Sequence, residues 1–572
     1  MKLWLINSQL KQSSVIPALL LVAVVIAVYY PSIRGGIHPY DDPGIVSRYA
    51  ASLPLAEVLL PGTGYYYRPL IELSFWLDNR LWGMEAATMH LENVLLHAAN
   101  SLLIFFLART IIRDDGMPLL PLLAALLFAL HPVNVEAVAW IAGRTDPLLT
   151  LFVLSSLFFW LRWLATPRWQ DMAAALLLFG AALLAKETAI AFGAVTVLFI
   201  FSWPGEATHR QRSLAVMYLT LPVVLLVCGV LFFKNGGSSG LSRFLAGTDL
   251  LSGQGLTDGL VALGFYAKKL VIPLPLNFAI NQVQQLYILP GIMLFPFVWW
   301  LVRRYRPAGI FIASALLLIL PAVLVAINQV AWTPFAERYL YLPSAFCILG
   351  LAAGVSNVSS QHKKVFFLTA LGLSVFFAVM CVQRILLWND KQAFFEDAVH
   401  KSPEFGSVYY TLGGILAQKG EINRASELFL TADRLNQRDS MRYPIKAAIM
   451  GSKIINGDLS GARGYFFELF ARKEHASAEF LELLFKVDTR RITQLTGTQK
   501  TMLATDIQET LELLYKKQPD PFWFYQKGQM ALIAGDTSKA AESFRRAYTE
   551  APTDAHYRAA ALTYLRRLEQ EK

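Results

Sequence analysis

Apolar runs long enough to cross a membrane recur through residues 1–387 of this chain. The 572-residue sequence is 55% hydrophobic and only 16% charged, whereas soluble domains carry roughly a quarter charged residues. A membrane-spanning helix needs roughly 20 apolar residues. Eleven stretches approach that length, near 15–30, 91–111, 117–132, 147–164, 171–185, 188–203, 213–233, 286–302, 308–327, 338–355 and 364–386. We therefore predict an all-α fold whose first domain, 1–387, is a polytopic membrane domain with about eleven transmembrane helices.

The distribution of basic residues predicts which loops share a side of the membrane. A further apolar segment, 257–274, carries Lys268 and Lys269 in its middle. If it lies on the outer leaflet as an interfacial helix, the basic loops all fall on the inner side, as the positive-inside rule requires. The outer side then holds the loops 31–90, 132–146, 234–285 and 328–337, the turn at 186–187, and residues 388–572.

Net charge and cysteines exclude two classes of function. The formal charge of +10 is explained by short basic loops between spans, and no basic stripe with interleaved aromatic residues indicates nucleic-acid binding. Cys228, Cys347 and Cys381 all lie in apolar runs and form no CxxC pair. The sequence therefore indicates neither a disulfide framework nor a thiolate metal site.

Charged residues recur at the predicted outer face. Two adjacent acids, Asp41 and Asp42, lie in RGGIHPYDDPG, a composition that is also typical of a solvated turn. Ionisable residues at the ends of spans are costly and are candidates for function, although a Lys–Glu pair can also simply reach the interface. The other candidates are Arg68, His131, Arg144, Asp146, Lys186, Glu187, Glu337 and Arg338.

This set of side chains fits transfer from a lipid phosphate. A carboxylate can accept the proton of an acceptor hydroxyl, and cations can stabilise a departing phosphate. We predict Asp41 and Asp42 as catalytic residues and Arg144, Lys186, Arg338 and His131 as donor-phosphate ligands. Arg68, Asp146, Glu187 and Glu337 are predicted to support them. The same composition also fits a transporter or a non-enzymatic membrane scaffold.

The carboxy-terminal part, 388–572, contains a helical repeat. Aligning Gly420, Gly457 and Gly535 also aligns Ala425, Ala462 and Ala540, followed by Phe429, Phe466 and Phe544. A small residue five positions after a turn and an aromatic residue four positions later is typical of tetratricopeptide-repeat hairpins. We predict a soluble α-solenoid of three or four repeats, with room for a degenerate repeat around 475–515.

Four stretches follow one another along the chain: RPLIELSFWLDNRLWGMEAATMHLENVLLHAANSLL, HPVNVEAVAWIAGRTDPLLTLFVLSS, LLAKETAI and AERYLYLPSAFCIL. In this order they resemble the TMTC family, the transmembrane and tetratricopeptide-repeat O-mannosyltransferases of the GT-C superfamily. The resemblance covers most of residues 31–350, and the repeats extend it to nearly the whole chain. The compact loops are more typical of a bacterial member.

The resemblance implies a polyprenyl-phosphate sugar donor, inversion at the anomeric carbon, and a catalytic acid at the Asp41-Asp42 position. The expected location is the cytoplasmic membrane, with the site and the repeats on the periplasmic side, and the expected acceptor is a protein or glycan. No cofactor and no metal are predicted, although a divalent cation remains open. The alternatives are an oligosaccharyltransferase or lipid-modifying enzyme of the same fold, and a scaffold that recruits envelope proteins through its repeats.

Overall fold

Every regular element that the structure describes is a helix. The computed structural model describes residues 14–51, 53–60, 67–112, 118–202, 252–329, 331–355, 360–436 and 438–570. Within these ranges the only extended pairing is an antiparallel bridge between Ile280 and Phe335. The chain divides into two compact units, Met1–Ser402 and Pro403–Lys572. The predicted all-α architecture is confirmed.

Within the described residues, the first unit consists mainly of apolar helices. Its amino-terminal helices are α1 (Val15–Ile33), α2 (Asp42–Ala50), α3 (Leu55–Leu59), α4 (Pro69–Trp82), α5 (Ala86–Ile111), α6 (Leu120–Ala129), α7 (Val135–Ala139), α8 (Thr145–Ala165), α9 (Trp169–Ala185) and α10 (Ile190–Ser202). Those that follow are α11 (Gly253–Val271), α12 (Ile288–Arg304), α13 (Arg306–Asn328), α14 (Tyr341–Val355), α15 (Ser360–Asn389) and α16 (Lys391–Lys401).

Ten of the eleven predicted spans correspond to apolar helices. Seven helices of the described residues are long and apolar enough to cross a membrane. Helix α6 and the segment Pro132–Ala139 meet the same criterion only as a pair, which is bent by 48° as in a broken span or a re-entrant loop. The helices Trp169–Ala185 and Glu187–Ser202 are apolar but shorter. The span predicted at 213–233 lies outside the described residues. These helices make the chain a multi-pass membrane protein.

Helix α11 covers the segment predicted to be interfacial, and it is not among the helices that qualify as spans. One of its faces packs against α13, with Phe265 and Tyr266 in the shared core. At its carboxy terminus, Lys268 and Lys269 donate hydrogen bonds to carbonyl oxygens of residues 273–275. The helix dipole stabilises cations at this end of a helix. Its placement on the outer leaflet stays a prediction.

The first unit extends beyond the predicted domain boundary at 387/388, to Ser402. Helix α16 belongs to it because Phe394 and Phe395 pack against the ring of His38 at centroid distances of 5.0 and 5.6 Å. Phe394 also lies 5.1 Å from Phe278. Burial of these aromatic rings makes residues 388–402 part of the first unit.

The second unit consists of antiparallel helix pairs. Its helices are α17 (Gly406–Gln418), α18 (Ile422–Leu435), α19 (Asp439–Ile455), α20 (Leu459–Leu469), α21 (Ala478–Arg491), α22 (Gly497–Lys517), α23 (Phe522–Ile533), α24 (Thr537–Glu550) and α25 (Arg558–Gln570). A helix pair, α21 and α22, occupies the interval of the predicted degenerate repeat.

The repeat alignment identifies the turns and the packing residues of these pairs. Gly420, Gly457 and Gly535 have φ of 86°, 78° and 80°, a conformation that favours glycine. All three aligned alanines and all three aligned phenylalanines are buried. A Cβ at Gly528 would lie 2.8 Å from the ring of Phe544. The absence of a side chain at this position therefore makes room for the phenylalanine ring. The unit is thus a solenoid of tetratricopeptide type.

Close glycine packing joins α11 to α12, and this contact can be tested. A Cβ at Gly264 would overlap the carbonyl oxygen of Tyr287, whereas one at Gly372 of α15 meets nothing within 4 Å. We expect Gly264→Ala to lower the thermal stability of the purified protein, because backbone must move. Gly372→Ala is the matched control and should be neutral or slightly stabilising, since it replaces glycine in a helix. Equal melting temperatures for the two variants would contradict this packing.

Candidate functional site

The adjacent acids Asp41 and Asp42 have different environments. Asp42 begins α2 and is fully buried. Its carboxylate accepts hydrogen bonds from the backbone N–H groups of His38 and Ala142, at 2.9 and 3.1 Å. Asp41 is exposed and has φ of 57° and ψ of −41°, a positive-φ conformation that is uncommon for residues other than glycine. The turn therefore uses Asp42 as an anchor and presents Asp41 at the surface.

Their surroundings also give the two carboxyl groups different electrostatics. Burial raises the pKa of Asp42 from 3.8 to about 7, although its two backbone hydrogen bonds oppose the rise. Loss of solvation also raises the pKa of Asp41, and the charge of Arg338 opposes that rise. Arg338 is therefore the cation that acts on the exposed aspartate.

The carboxylate of Glu136 and two aromatic rings hold Arg338 in place. Glu136 on α7 is buried and forms an ion pair with the Arg338 guanidinium. It also accepts the backbone N–H of Glu337 at 3.1 Å. The guanidinium carbon lies 5.2 Å from the Trp140 ring centroid and 4.9 Å from that of Tyr339, within the range of cation–π attraction. Even with these contacts, 16% of the Arg338 side chain is exposed.

Lys186 lies on the same aromatic ring as Arg338. Its ammonium nitrogen is 5.5 Å from the Tyr339 centroid and 2.6 Å from the carboxylate of Asp146. Lys186 follows α9, where the helix ends at a charged residue between two short apolar helices. Two cations, Arg338 and Lys186, therefore flank one tyrosine.

Arg68 and Glu187 form an ion pair next to Lys186. The Arg68 guanidinium donates two hydrogen bonds to Glu187, at 2.9 and 2.5 Å. This fork-to-carboxylate geometry joins the residue before α4 to the turn before α10. Arg68, Asp146 and Glu187 thus lie around Lys186, and their supporting role stays a prediction.

Arg144 lies in a different, buried cluster. Its side chain is 1% exposed and forms an ion pair with Asp78 at 2.7 Å, and Glu92 lies at 3.2 Å. The guanidinium also donates to Asn93 at 3.1 Å and to the carbonyl of Met89 at 3.2 Å. With its donors engaged inside the protein, Arg144 braces helices α4, α5 and α8 instead of facing a lipid phosphate as predicted.

His131 and Glu337 also have structural partners. His131 is buried, and its Nε2 lies 3.1 Å from the carbonyl oxygen of Leu270. This contact attaches the turn after α6 to the end of α11, and the other ring nitrogen, Nδ1, is buried without a hydrogen-bond partner among the described residues. The role of His131 as a phosphate ligand stays a prediction. Glu337 accepts from Lys269 at 2.6 Å and from the backbone N–H of Asn277 at 2.9 Å, and it supports Arg338 through the backbone.

The sequence analysis assigned no role in the site to Glu136, which pairs with Arg338, or to Lys269, which pairs with Glu337. Glu136 lies within HPVNVEAVAW, and its spacing from Arg338 of about 200 residues left no local signal. Lys269 contributed only to the topology prediction. Among the described residues, no group of three or more His, Cys, Asp or Glu side chains has the geometry of a metal site.

The assignment of Arg144 to a structural cluster predicts a loss of stability in Arg144→Gln. This change leaves the carboxylate of Asp78 buried without its cation, which typically costs 3–5 kcal/mol, to order of magnitude. The measurement is thermal unfolding of the purified protein. The exposed pair of Arg48 and Glu72 supplies the control, because Arg48→Gln should cost less than about 1 kcal/mol. An Arg144→Gln protein with unchanged stability would contradict the assignment.

The pKa of Asp42 predicts a pH-dependent stability difference. Because its pKa is raised from 3.8 to about 7, the folded state binds the proton more tightly than the unfolded chain. The stabilisation that this proton contributes is complete below about pH 4 and is lost as pH rises through about 7. We expect the melting temperature of the wild type to fall relative to that of Asp42→Asn, which does not ionise, across this interval. A difference that stays constant with pH would contradict the expectation.

Comparisons with known proteins agree on one relationship. A family described as dolichyl-phosphate-mannose-protein mannosyltransferase matches residues 68–233. The protein O-mannosyl-transferase F38B6.6 of Caenorhabditis elegans is 25% identical over 381 residues, which are 65% of this chain and 54% of that protein. Mouse protein O-mannosyl-transferase TMTC1 is 36% identical over 167 residues, 26% of this chain and 16% of that protein.

ArnT from Cupriavidus metallidurans bound to undecaprenyl phosphate is 15% identical, with a TM-score of 0.39, over 78% of this chain and 79% of that one. The likeness is too loose to place individual residues. This chain spans about half the length of the C. elegans relative. The sequence matches confirm the predicted resemblance: parts of the chain are similar to the TMTC and other protein O-mannosyl-transferases.

Proposed function

We propose that this chain is an inverting glycosyltransferase. It transfers one sugar from a polyprenyl phosphate to an acceptor hydroxyl, on a protein, at the periplasmic face of the cytoplasmic membrane. The observation that carries the proposal is the exposed carboxylate of Asp41 together with two cations, Arg338 and Lys186, at the Tyr339 ring. The charge of Arg338 opposes the rise in the pKa of Asp41. A base and a phosphate-binding cation are the two groups that this reaction requires.

In the proposed reaction, Asp41 is the base. Its carboxylate accepts the proton of the acceptor hydroxyl while that oxygen bonds to the anomeric carbon. The bond between this carbon and the phosphate oxygen breaks on the opposite face, so the configuration inverts and polyprenyl phosphate leaves. Asp41 suits this role because it is exposed and its pKa is raised, which makes the carboxylate a stronger base.

Asp42 is proposed to position Asp41 without taking part in proton transfer. Both of its carboxylate oxygens accept backbone hydrogen bonds, and the residue is fully buried. These bonds attach the turn before α2 to the segment 140–144. The geometry therefore distinguishes two acids that the sequence presents as equivalent.

Arg338 and Lys186 are proposed to bind the departing phosphate. They flank the Tyr339 ring at 4.9 and 5.5 Å, so one phosphate placed beside this ring can interact with both cations. Arginine can donate two parallel hydrogen bonds to phosphate. With these two cations available, the proposed reaction needs no metal ion, and activity retained in EDTA would support this part of the proposal.

The names of the relatives suggest which sugar and acceptor to test first. They are protein O-mannosyl-transferases, so polyprenyl-phosphate mannose and a protein hydroxyl are the first donor and acceptor. The solenoid offers helix pairs for a protein acceptor, a role that we propose by its architecture alone. Transfer of a block of sugars instead of a single residue would favour an oligosaccharyltransferase.

Substitution of Asp41 tests the proposal. We expect Asp41→Asn to reduce kcat for sugar transfer by at least about 100-fold, because a general base contributes roughly 10²–10⁴ in rate. Thermal stability should be unchanged, since Asp41 is exposed. The assay is transfer of radiolabelled sugar from a polyprenyl phosphate by purified protein in lipid nanodiscs. In the wild type, kcat/KM should also fall as pH drops through the raised pKa of Asp41.

Asp42→Asn is the matched control for this experiment. We expect it to affect stability and its pH dependence while retaining more activity than Asp41→Asn. Full transfer activity in the Asp41→Asn protein would refute the assignment of the base. A wild-type protein that transfers no sugar from any polyprenyl phosphate, but whose loss of residues 403–572 disrupts envelope assembly, would instead support a scaffold.

A further inference from the structure

Arg384 is a buried cation that is incompletely neutralised. It lies near the end of α15 with 5% of its surface exposed. Its Nη1 is 3.3 Å from the carboxylate of Asp397, and the same carboxylate lies 2.7 Å from Lys401. Its Nη2 is buried and has no hydrogen-bond partner among the described residues. One carboxylate therefore serves two cations, and one edge of the guanidinium has no acceptor.

Two further buried donors near Arg384 share this property. The indole Nε1 of Trp388, one helical turn after Arg384, and the Nε2 of His38 have no partner among the described residues. The rings of His38 and Trp388 lie 4.9 Å apart. The Phe394 ring contacts both of them, at 5.0 and 4.5 Å, and lies 5.5 Å from the Arg384 guanidinium.

The His38 nitrogen is a donor as well. Its Nδ1 accepts the backbone N–H of Tyr40 at 3.4 Å, so in the neutral ring the proton resides on Nε2. Burial lowers the pKa of His38 to about 3, which keeps the ring neutral at physiological pH. Arg384, Trp388 and His38 thus form a corner rich in donors and poor in acceptors, which we call the donor corner.

Buried donors without acceptors are unusual in proteins, because each loses its hydration without compensation. Three of them in one aromatic cluster point to a ligand that supplies acceptor oxygens. A guanidinium edge beside two neutral N–H groups favours an anionic ligand, and phosphate matches the planar fork of arginine.

The donor corner adjoins the site built around Asp41. Arg384 interacts electrostatically with Glu136, the same carboxylate that holds Arg338. The backbone N–H of His38 donates to Asp42 beside the proposed base. The Trp140 ring centroid lies 5.2 Å from the Arg338 guanidinium carbon and 6.2 and 6.3 Å from the rings of His38 and Trp388. Arg338 and the donor corner therefore border the same indole ring.

We propose that Arg384 is a further phosphate-binding residue of this chain, with Trp388 and His38 as neutral donors beside it. Its ligand is the phosphate oxyanion of a polyprenyl-phosphate sugar or of the polyprenyl phosphate that leaves. This inference rests on the proposed function for the identity of the ligand. Arg384 adds a third cation to Arg338 and Lys186 and neutralises the charge that develops on the leaving group.

The test measures ligand binding separately from catalysis. Wild type, Arg384→Gln and Arg384→Lys are purified in nanodiscs of neutral lipid and titrated with polyprenyl phosphate, with thermal stabilisation as the readout. We expect the apparent Kd to rise about 10- to 100-fold in Arg384→Gln, as for loss of a charged hydrogen bond. Arg384→Lys should lose less, because it retains the charge but not the second edge.

Lys401→Gln is the matched control, because Lys401 shares the Asp397 carboxylate with Arg384. It should leave the Kd unchanged. Equal weakening by Lys401→Gln and Arg384→Gln would overturn the proposal, because it would show that the ion pair with Asp397 is what matters. If Arg384→Gln fails to fold, Arg384→Lys decides, and a wild-type Kd in that variant would count against the proposal.

Parallel titrations identify the source of the phosphate. Polyprenol, inorganic phosphate and phosphatidylglycerol replace polyprenyl phosphate, and we expect little stabilisation that depends on Arg384 from any of them. An equal effect of phosphatidylglycerol would overturn the proposal in favour of a general lipid site. Binding of polyprenyl phosphate that depends on Arg384, in a protein that transfers no sugar, would refute the proposed function but not this site.

Discussion

The carboxylate of Glu136 is the interaction on which the arrangement of the site depends. It accepts hydrogen bonds from the backbone of Glu337 and Arg338 and forms an ion pair with the Arg338 side chain. These contacts join two segments about 200 residues apart in the sequence. A carboxylate that receives several donors is strongly held when buried, because each donor offsets part of its lost hydration. The position of the Arg338 side chain follows from this one buried acid.

Buried charges elsewhere in the first unit follow the same principle. Arg144 pairs with Asp78, Lys186 with Asp146, and Lys269 with Glu337, each at 2.6 or 2.7 Å. Each pair joins helices or turns that are distant in sequence, so a network of ion pairs braces the region where the loops meet. Three charges differ from these pairs: Asp41 is exposed, Arg338 is paired but keeps 16% of its side chain exposed, and Arg384 has one nitrogen without a hydrogen-bond partner among the described residues.

Much of the fold was predictable because it depends on local chemistry. Ten of the predicted spans are helices in the structure, since a helix satisfies its own backbone hydrogen bonds in lipid. The repeat frame of Gly420, Gly457 and Gly535 located the helical turns. The domain boundary was less predictable, because residues 388–402 read as polar in sequence but bury Phe394 and Phe395 in the first unit.

The sequence by itself determined the helical class, the membrane domain, the repeats, and the short list of charged residues, because period, length and residue type are local properties. Only the tertiary structure decided which charges have partners. It separated Asp41 from Asp42, placed Arg144 with Asp78 and His131 with Leu270, and revealed Glu136, Lys269 and Arg384. The physical reason is that burial and ion pairing depend on contacts between segments that are distant in the sequence. The sequence around a charged residue therefore does not identify its ion-pair partner.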